Sequence, residues 1–190
     1  MSSTDSHYSD ADKHVLLRVA RDSILHGLEH GCELAVEVRA HTPALQAPRA
    51  TFVTLELSNT LRGCVGTLEA TRSLIEDVAH NAYAAAFLDA RFTALTAAEF
   101  AHLALHISVL SAPELMAVAS EADLLRQLRA GVDGLILEDG RRRATFLPSV
   151  WASLPEPREF LHHLKRKAGL SENYWSATLT VRRYTAESIE

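Results

Sequence analysis

Two short runs separated by a turn constrain this chain most. TFVTLEL at 51–57 is rich in β-branched and aromatic residues, Ser58-Asn59-Thr60 turns the chain, and LRGCVGT at 61–67 returns as a second strand. Leu103, Leu105, Ile107 and Val109 alternate with Ala104, His106 and Ser108, which predicts a half-buried antiparallel strand. A further hairpin is expected over 134–147, with Asp139-Gly140 as a type I′ turn, and a last strand over 175–184.

Helices interleave with these strands. Ser9 is the N-cap of a helix over 10–30, with Asp10 and Asp12 in its first turn and Gly31 closing it. Ser73 and Glu76 form a capping box that opens a helix to about Leu88, and Thr96 and Glu99 open a shorter one. Residues 120–130 read as a short helix ended by Gly131, and Pro157 starts a helix that ends at Gly169. Residues 32–50 read as a long irregular connection. The pattern predicts an α+β class, an antiparallel β-sheet with flanking helices, and no strand–helix–strand unit carrying a phosphate loop.

Composition narrows the function classes. At 190 residues the chain is one domain, or one domain with two lobes. The formal charge, 19 − 24 = −5, disfavours general nucleic-acid binding. Two cysteines, Cys32 and Cys64, exclude a disulfide scaffold or a zinc ribbon built from this chain alone. No 18-residue apolar run is present, so no membrane span is expected. The start, MSSTDSHYSDADKH, has neither a basic nor an apolar signal region, and a cytoplasmic location is the expectation. Residues 1–8 are expected to be a disordered N-terminus.

The chemistry-bearing candidate is the second strand. Gly63 and Gly66 bracket Cys64 in an otherwise apolar run, which suggests a bulge or a close backbone approach. Exposed N–H groups at such a bulge could hold an anion or an oxyanion. If Arg62 converges on Cys64, its guanidinium favours the thiolate. The alternative is that Cys64 is a small buried hydrophobe and the glycines serve packing. The histidines carry weaker signals. His26 and His30 share a helix face at i, i+4, and adjacent His162 and His163 diverge on theirs. His80 and His102 have no sequence partner, and His106 is the one guess for a general base. No metal site and no cofactor are assigned.

LRGCVGT resembles the LRGC(I/V)GT signature of the AMME chromosomal-region-1 domain family. The resemblance continues through Phe52-Val53-Thr54-Leu55, Asp89-Ala90-Arg91-Phe92, Ile107-Ser108-Val109-Leu110-Ser111 and Gly131-Val132-Asp133-Gly134. It runs on through Ala144 to Pro148, Val150-Trp151 and Lys167-Ala168-Gly169, over about residues 15–186. Ala90 stands where the family block has proline. The resemblance implies a single domain over 9–186 with two subdomains and a cleft lined by the signature. On it Cys64 is a candidate catalytic residue, and Arg62, Gly63, Gly66, Thr67, Asp89 and Arg91 are candidate binding residues.

Bacterial members are similar to protein A of the AmmeMemoRadiSam system, so a Memo-family protein and a radical-SAM protein are the implied partners. An unknown small molecule or protein is the implied substrate. Two cysteines are too few for the radical-SAM cluster motif, so the chain is not that enzyme. Its implied place is an accessory or substrate-binding component. The alternatives are a stand-alone cysteine-dependent enzyme with Cys64 as nucleophile, and a protein-interaction domain without catalysis.

Overall fold

The computed structural model describes residues 8–190. The disorder expected over 1–8 lies outside the described residues except at Tyr8, whose side chain is buried. The chain divides into two units, one running to Leu110 and including Glu187–Glu190, the other Ser111–Ala186. The class is α+β, with one four-stranded sheet in each unit.

In the first unit, α1 (Asp10–His30) starts where the Ser9 hydroxyl accepts the Asp12 N–H and stops at left-handed Gly31. Its stripe of Leu16, Val19, Ala20 and Ile24 is buried, and each large side chain removed from water in this way contributes about 1.5–3 kcal/mol. The connection over 32–50 is irregular apart from a 3-10 turn at Val38–Ala40 and one turn of helix, α2 (Pro43–Gln46). Strands β1 (Thr51–Leu57) and β2 (Thr60–Gly66) form the expected hairpin. Ser58 and Asn59 both take positive φ, 51° and 59°, as a two-residue type I′ loop requires. The capping box at Ser73 and Glu76 opens α3 (Leu74–Phe87), and that at Thr96 and Glu99 opens α4 (Ala97–Phe100). Strand β3 (Ala104–Leu110) pairs with β1, and β8 (Ala186–Ile189), a strand the periodicity did not reveal, completes the order β2-β1-β3-β8. Thr51, Val53 and Leu55 of β1 point into the core with α1 and α3; Phe52, Thr54 and Glu56 point to the other face.

The second unit has the order β4-β7-β5-β6. It consists of β4 (Glu114–Leu115), α5 (Glu121–Gln127), β5 (Gly134–Asp139), β6 (Arg142–Phe146), α6 (Pro157–Lys167) and β7 (Thr180–Tyr184). Its core centres on Trp151, stacked on Phe160 with ring centroids 3.9 Å apart, with Leu161, Leu164 and Val181 around them.

Three sequence expectations change here. Helix α5 ends before 130, because buried Asp133 accepts the Arg129 N–H at 2.8 Å and its Nε–H at 2.9 Å, which winds the chain out of the helix. The hairpin loop is Gly140-Arg141, not Asp139-Gly140: Asp139 pairs with Arg142, and only Gly140 takes positive φ, 62°, the arrangement of a II′ turn. The last strand starts at Thr180 rather than 175, because Tyr174, Ser176 and Thr178 donate their hydroxyls to Asp139 at 2.6, 2.7 and 2.8 Å. That wrap holds residues 174–178 off the sheet. No helix among the described residues is long and apolar enough to cross a membrane.

Candidate functional site

The glycine-bracketed strand contains a bulge. Leu55 pairs with Gly63 but Glu56 pairs with Leu61, so Arg62 is the extra residue on β2. Gly63 faces α3 so closely that a Cβ there would lie 2.2 Å from the Ala85 carbonyl oxygen. Gly66 lies under the Phe52 ring, 2.2 Å from where its Cβ would be. Both glycines therefore answer to close approach. Cys64 is on the sheet's other face, half-buried, and Thr54, its cross-strand partner, donates its hydroxyl to Sγ at 3.3 Å. Thr54 also pairs with His106 on β3, so Cys64, Thr54 and His106 form one row across three strands. Two strand spacings, about 10 Å, separate the Cys64 and His106 backbones, too far for direct proton transfer. Glu56 Oε2 and Glu190 Oε1 flank the His106 ring at 3.6 and 3.5 Å.

β2 is an edge strand, and at Cys64 its N–H and C=O point away from β1. The loop after α3 covers that edge. Asp89 Oδ2 accepts the Cys64 N–H at 2.9 Å, and Arg91 Nη2 donates to the Cys64 carbonyl at 3.1 Å. Arg91 also grips the Asp89 carboxylate at 2.6 and 2.9 Å. The loop closes by the Phe92 N–H bond to the Asp89 carbonyl, 3.0 Å, so Ala90 in place of proline still permits the turn. The Arg91 guanidinium holds the Asp89 carboxyl far below the usual carboxylate range, and the Cys64 N–H adds to this.

These contacts redistribute the predicted roles. Of the N–H groups along the glycine-bracketed strand, where an anion site is expected, that of Cys64 is already bound by Asp89. Arg62 turns to Glu99, with Nε at 2.8 Å and Nη2 at 3.2 Å from its two oxygens, and to the carbonyls of Thr93 and Ala94. The cation beside Cys64 is Arg91, whose own charge is stabilised first by the hydrogen-bonded Asp89 carboxylate. Thr67 lies on the α3 side, its hydroxyl bonded to the buried Asp77 carboxylate at 2.9 Å. Cys64, Asp89 and Arg91 are thus brought together; Arg62 and Thr67 brace the strand from either end. Three participants were missed. Thr54 follows from the register of the bulge, Glu99 carries only a capping signal in the sequence, and Phe92 has the Arg62 and Arg91 guanidinium carbons 5.8 and 5.5 Å from its ring centre.

Elsewhere, the His26 and His30 rings lie 4.4 Å apart, with Cys32 Sγ 3.6 Å from His26 Nε2. Among the described residues no group of three or more His, Cys, Asp or Glu is placed to hold a metal ion.

The ion pairs at this edge make stability depend on acid. The Arg62 guanidinium lowers the Glu99 carboxyl to about 2, with the Thr96 N–H assisting. Both Glu99 and Asp89 titrate lower in the folded chain than in the unfolded one, so the unfolded state takes up protons first as pH falls. Their stabilisation is complete above the unfolded carboxylate range, about pH 5, and declines from there towards pH 2. Urea denaturation across that interval is expected to show the decline, and Glu99→Gln to flatten part of it. An equal slope in the variant would refute the assignment.

A two-unit α+β protein whose signature strand is pinned along its edge by an Asp–Arg loop is the class these features define. The AMMECR1 family profile matches residues 17–189, and the chain belongs to that family. It is 33% identical over 189 residues to a protein of Thermofilum pendens, covering 91% of this chain and 86% of that one. It is also 33% identical over 159 residues to protein MJ0810 of Methanocaldococcus jannaschii, covering 82% and 79%. The crystal structure of the uncharacterized protein PH0010 from Pyrococcus horikoshii is similar at a TM-score of 0.88 and 32% identity, covering 95% of this chain and 91% of that one.

Proposed function

We propose that this chain is a recognition component of a modification pathway, presenting the β2 face at Cys64 to a substrate or to a partner of the Memo or radical-SAM type in the cytoplasm. The partners rest on the family resemblance alone. The observation that carries the binding reading is the commitment of the motif's charges. Asp89 and Arg91 hold the Cys64 backbone, and Glu99 neutralises Arg62. What remains presented is a thiol, the Thr54 hydroxyl that bonds it, and the half-buried Phe52 and His106 on the same face. Such a surface suits contact through shape and soft polar groups better than proton transfer.

A cysteine-dependent enzyme is the second reading, favoured by Arg91 beside Cys64. The two separate by substitution. Cys64→Ser keeps a small polar side chain and is expected to retain co-purification with Memo-family and radical-SAM proteins of the source organism. Cys64→Trp, which fills the face, is expected to abolish it. Loss of pathway output in Cys64→Ser with complex formation intact would move the assignment to the enzyme. Absence of any complex at micromolar concentration with the unaltered protein would remove the proposed partners.

A further inference from the structure

From Glu33 to Glu37 the chain runs without a turn or bend before the 3-10 turn at Val38–Ala40. Its exposure alternates: Leu34 and Val36 are half-buried, while Glu33, Ala35 and Glu37 are exposed. Val36 and Val38 pack against the core of the first unit. This is the pattern of a half-buried strand. No strand pairs with it: among the described residues, the backbone N–H and C=O groups of Leu34, Ala35 and Val36 have no hydrogen-bond partner. A straight row of such groups is a template on which another extended chain can add.

Beside the segment lies a depression of about 230 Å³, walled on its other side by Arg72, Glu76 and His80. Its charges are unequally committed. Arg72 reaches back to buried Asp77 at 3.4 Å, and His80 Nδ1 meets Glu33 Oε2 at 2.6 Å. Glu76 uses Oε2 in its capping box. Among the described residues, Glu33 Oε1, Glu76 Oε1 and the Glu37 carboxylate have no partner. Glu33 and Glu37 stand on one exposed row about 13 Å apart, twice the repeat of about 6.6 Å between alternate side chains on an extended partner.

We propose that Leu34–Val36 is an acceptor edge for an extended basic peptide, which adds as a strand in the depression and sets lysine or arginine side chains against Glu33 and Glu37. Main-chain bonds supply the affinity, and opposite charges across the new pair select the sequence. The site is separate from Cys64 and stands whether or not that face binds a partner.

The probe is a capped pentapeptide alternating lysine and valine, titrated against the full chain by fluorescence anisotropy. Saturable binding is expected, weaker in high salt, with none for the glutamate–valine counterpart. N-methylation of one alternating set of probe amides is expected to weaken binding about tenfold, and of the other set to leave it unchanged, because only one set faces the segment. Glu33→Gln with Glu37→Gln is expected to weaken the lysine peptide several-fold at unchanged thermal stability. The proposal fails if no binding saturates by millimolar probe, if both or neither methylated set loses affinity, or if the glutamate peptide binds equally.

Discussion

Asp77→Ala is expected to lower the stability of the first unit by about 3–5 kcal/mol, the typical loss when one member of a buried charged network is removed. The side chain has no exposed surface, yet it ends in a polar carboxyl group. Five donors make that tenable. The Thr51 N–H and hydroxyl bond it at 2.9 and 2.7 Å, Asn81 Nδ2 at 2.9 Å, Thr67 Oγ1 at 2.9 Å and Arg72 Nη1 at 3.4 Å. Truncation strands the Thr51 N–H, buried beyond the reach of water, and takes the acceptor of the Thr51 hydroxyl; buried Asn81 keeps its bonds to Thr51 but loses one partner. Against a total of about 5–15 kcal/mol for a domain, this brings the unit close to unfolding at physiological temperature. A midpoint fall of about 12–20 °C is the corresponding thermal shift. Asp77→Asn keeps one accepting oxygen and is expected to lose less. Urea denaturation followed by circular dichroism measures both, and amide exchange at Thr51 reads the site directly. An Asp77→Ala protein within about 0.5 kcal/mol of the original would mean that the network is solvated and not structural.

Asp77 also marks where sequence reading stops. Its neighbours Ser73 and Glu76 are legible as a capping box because that motif is local: four residues hold both partners. The hairpin turn at Ser58-Asn59 is legible for the same reason, and so are the ends of α1 at Ser9 and Gly31. Partners supplied from far along the chain are not. Nothing near residue 77 in sequence announces Thr51, and nothing near Cys64 announces Asp89 as the acceptor of its N–H. The motif's glycines signalled an irregular strand but not its register. A regular two-residue hairpin pairs Thr54 with Gly63; the extra residue at Arg62 moves the pairing to Cys64 and so brings the Thr54 hydroxyl to the thiol. A one-residue shift exchanges sheet faces, and no local propensity fixes where the extra residue falls. Asp139 shows the converse failure. Asp-Gly is a good local turn signal, yet three hydroxyls from residues 174–178 draw that aspartate into the strand pair and leave the turn to Gly140-Arg141.

Gly63→Ala is expected to destabilise the first unit by about 3 kcal/mol, at the upper end of ordinary overpacking. The reason is the identity of the obstacle. The added methyl would lie 2.2 Å from the Ala85 carbonyl oxygen and 3.1 Å from its carbon, and both atoms belong to the α3 backbone. A side chain could rotate aside; a hydrogen-bonded helix that packs Leu74, Val78 and Ala82 into the core can only be pushed away as a body. Gly140→Ala is the control for glycine loss without crowding. Nothing lies within 4 Å of a Cβ there, and its φ of 62° alone resists substitution, at about 1 kcal/mol. The two variants therefore distinguish a glycine needed for space from one needed for conformation. Pushing β2 away from α3 also moves it relative to the loop that follows the helix, so the bond from the Cys64 N–H to Asp89 is expected to lengthen and that amide to exchange faster than in Gly140→Ala. If Gly63→Ala proves no costlier than Gly140→Ala, the β2–α3 contact yields readily, and the edge that holds Cys64 is not set by this approach.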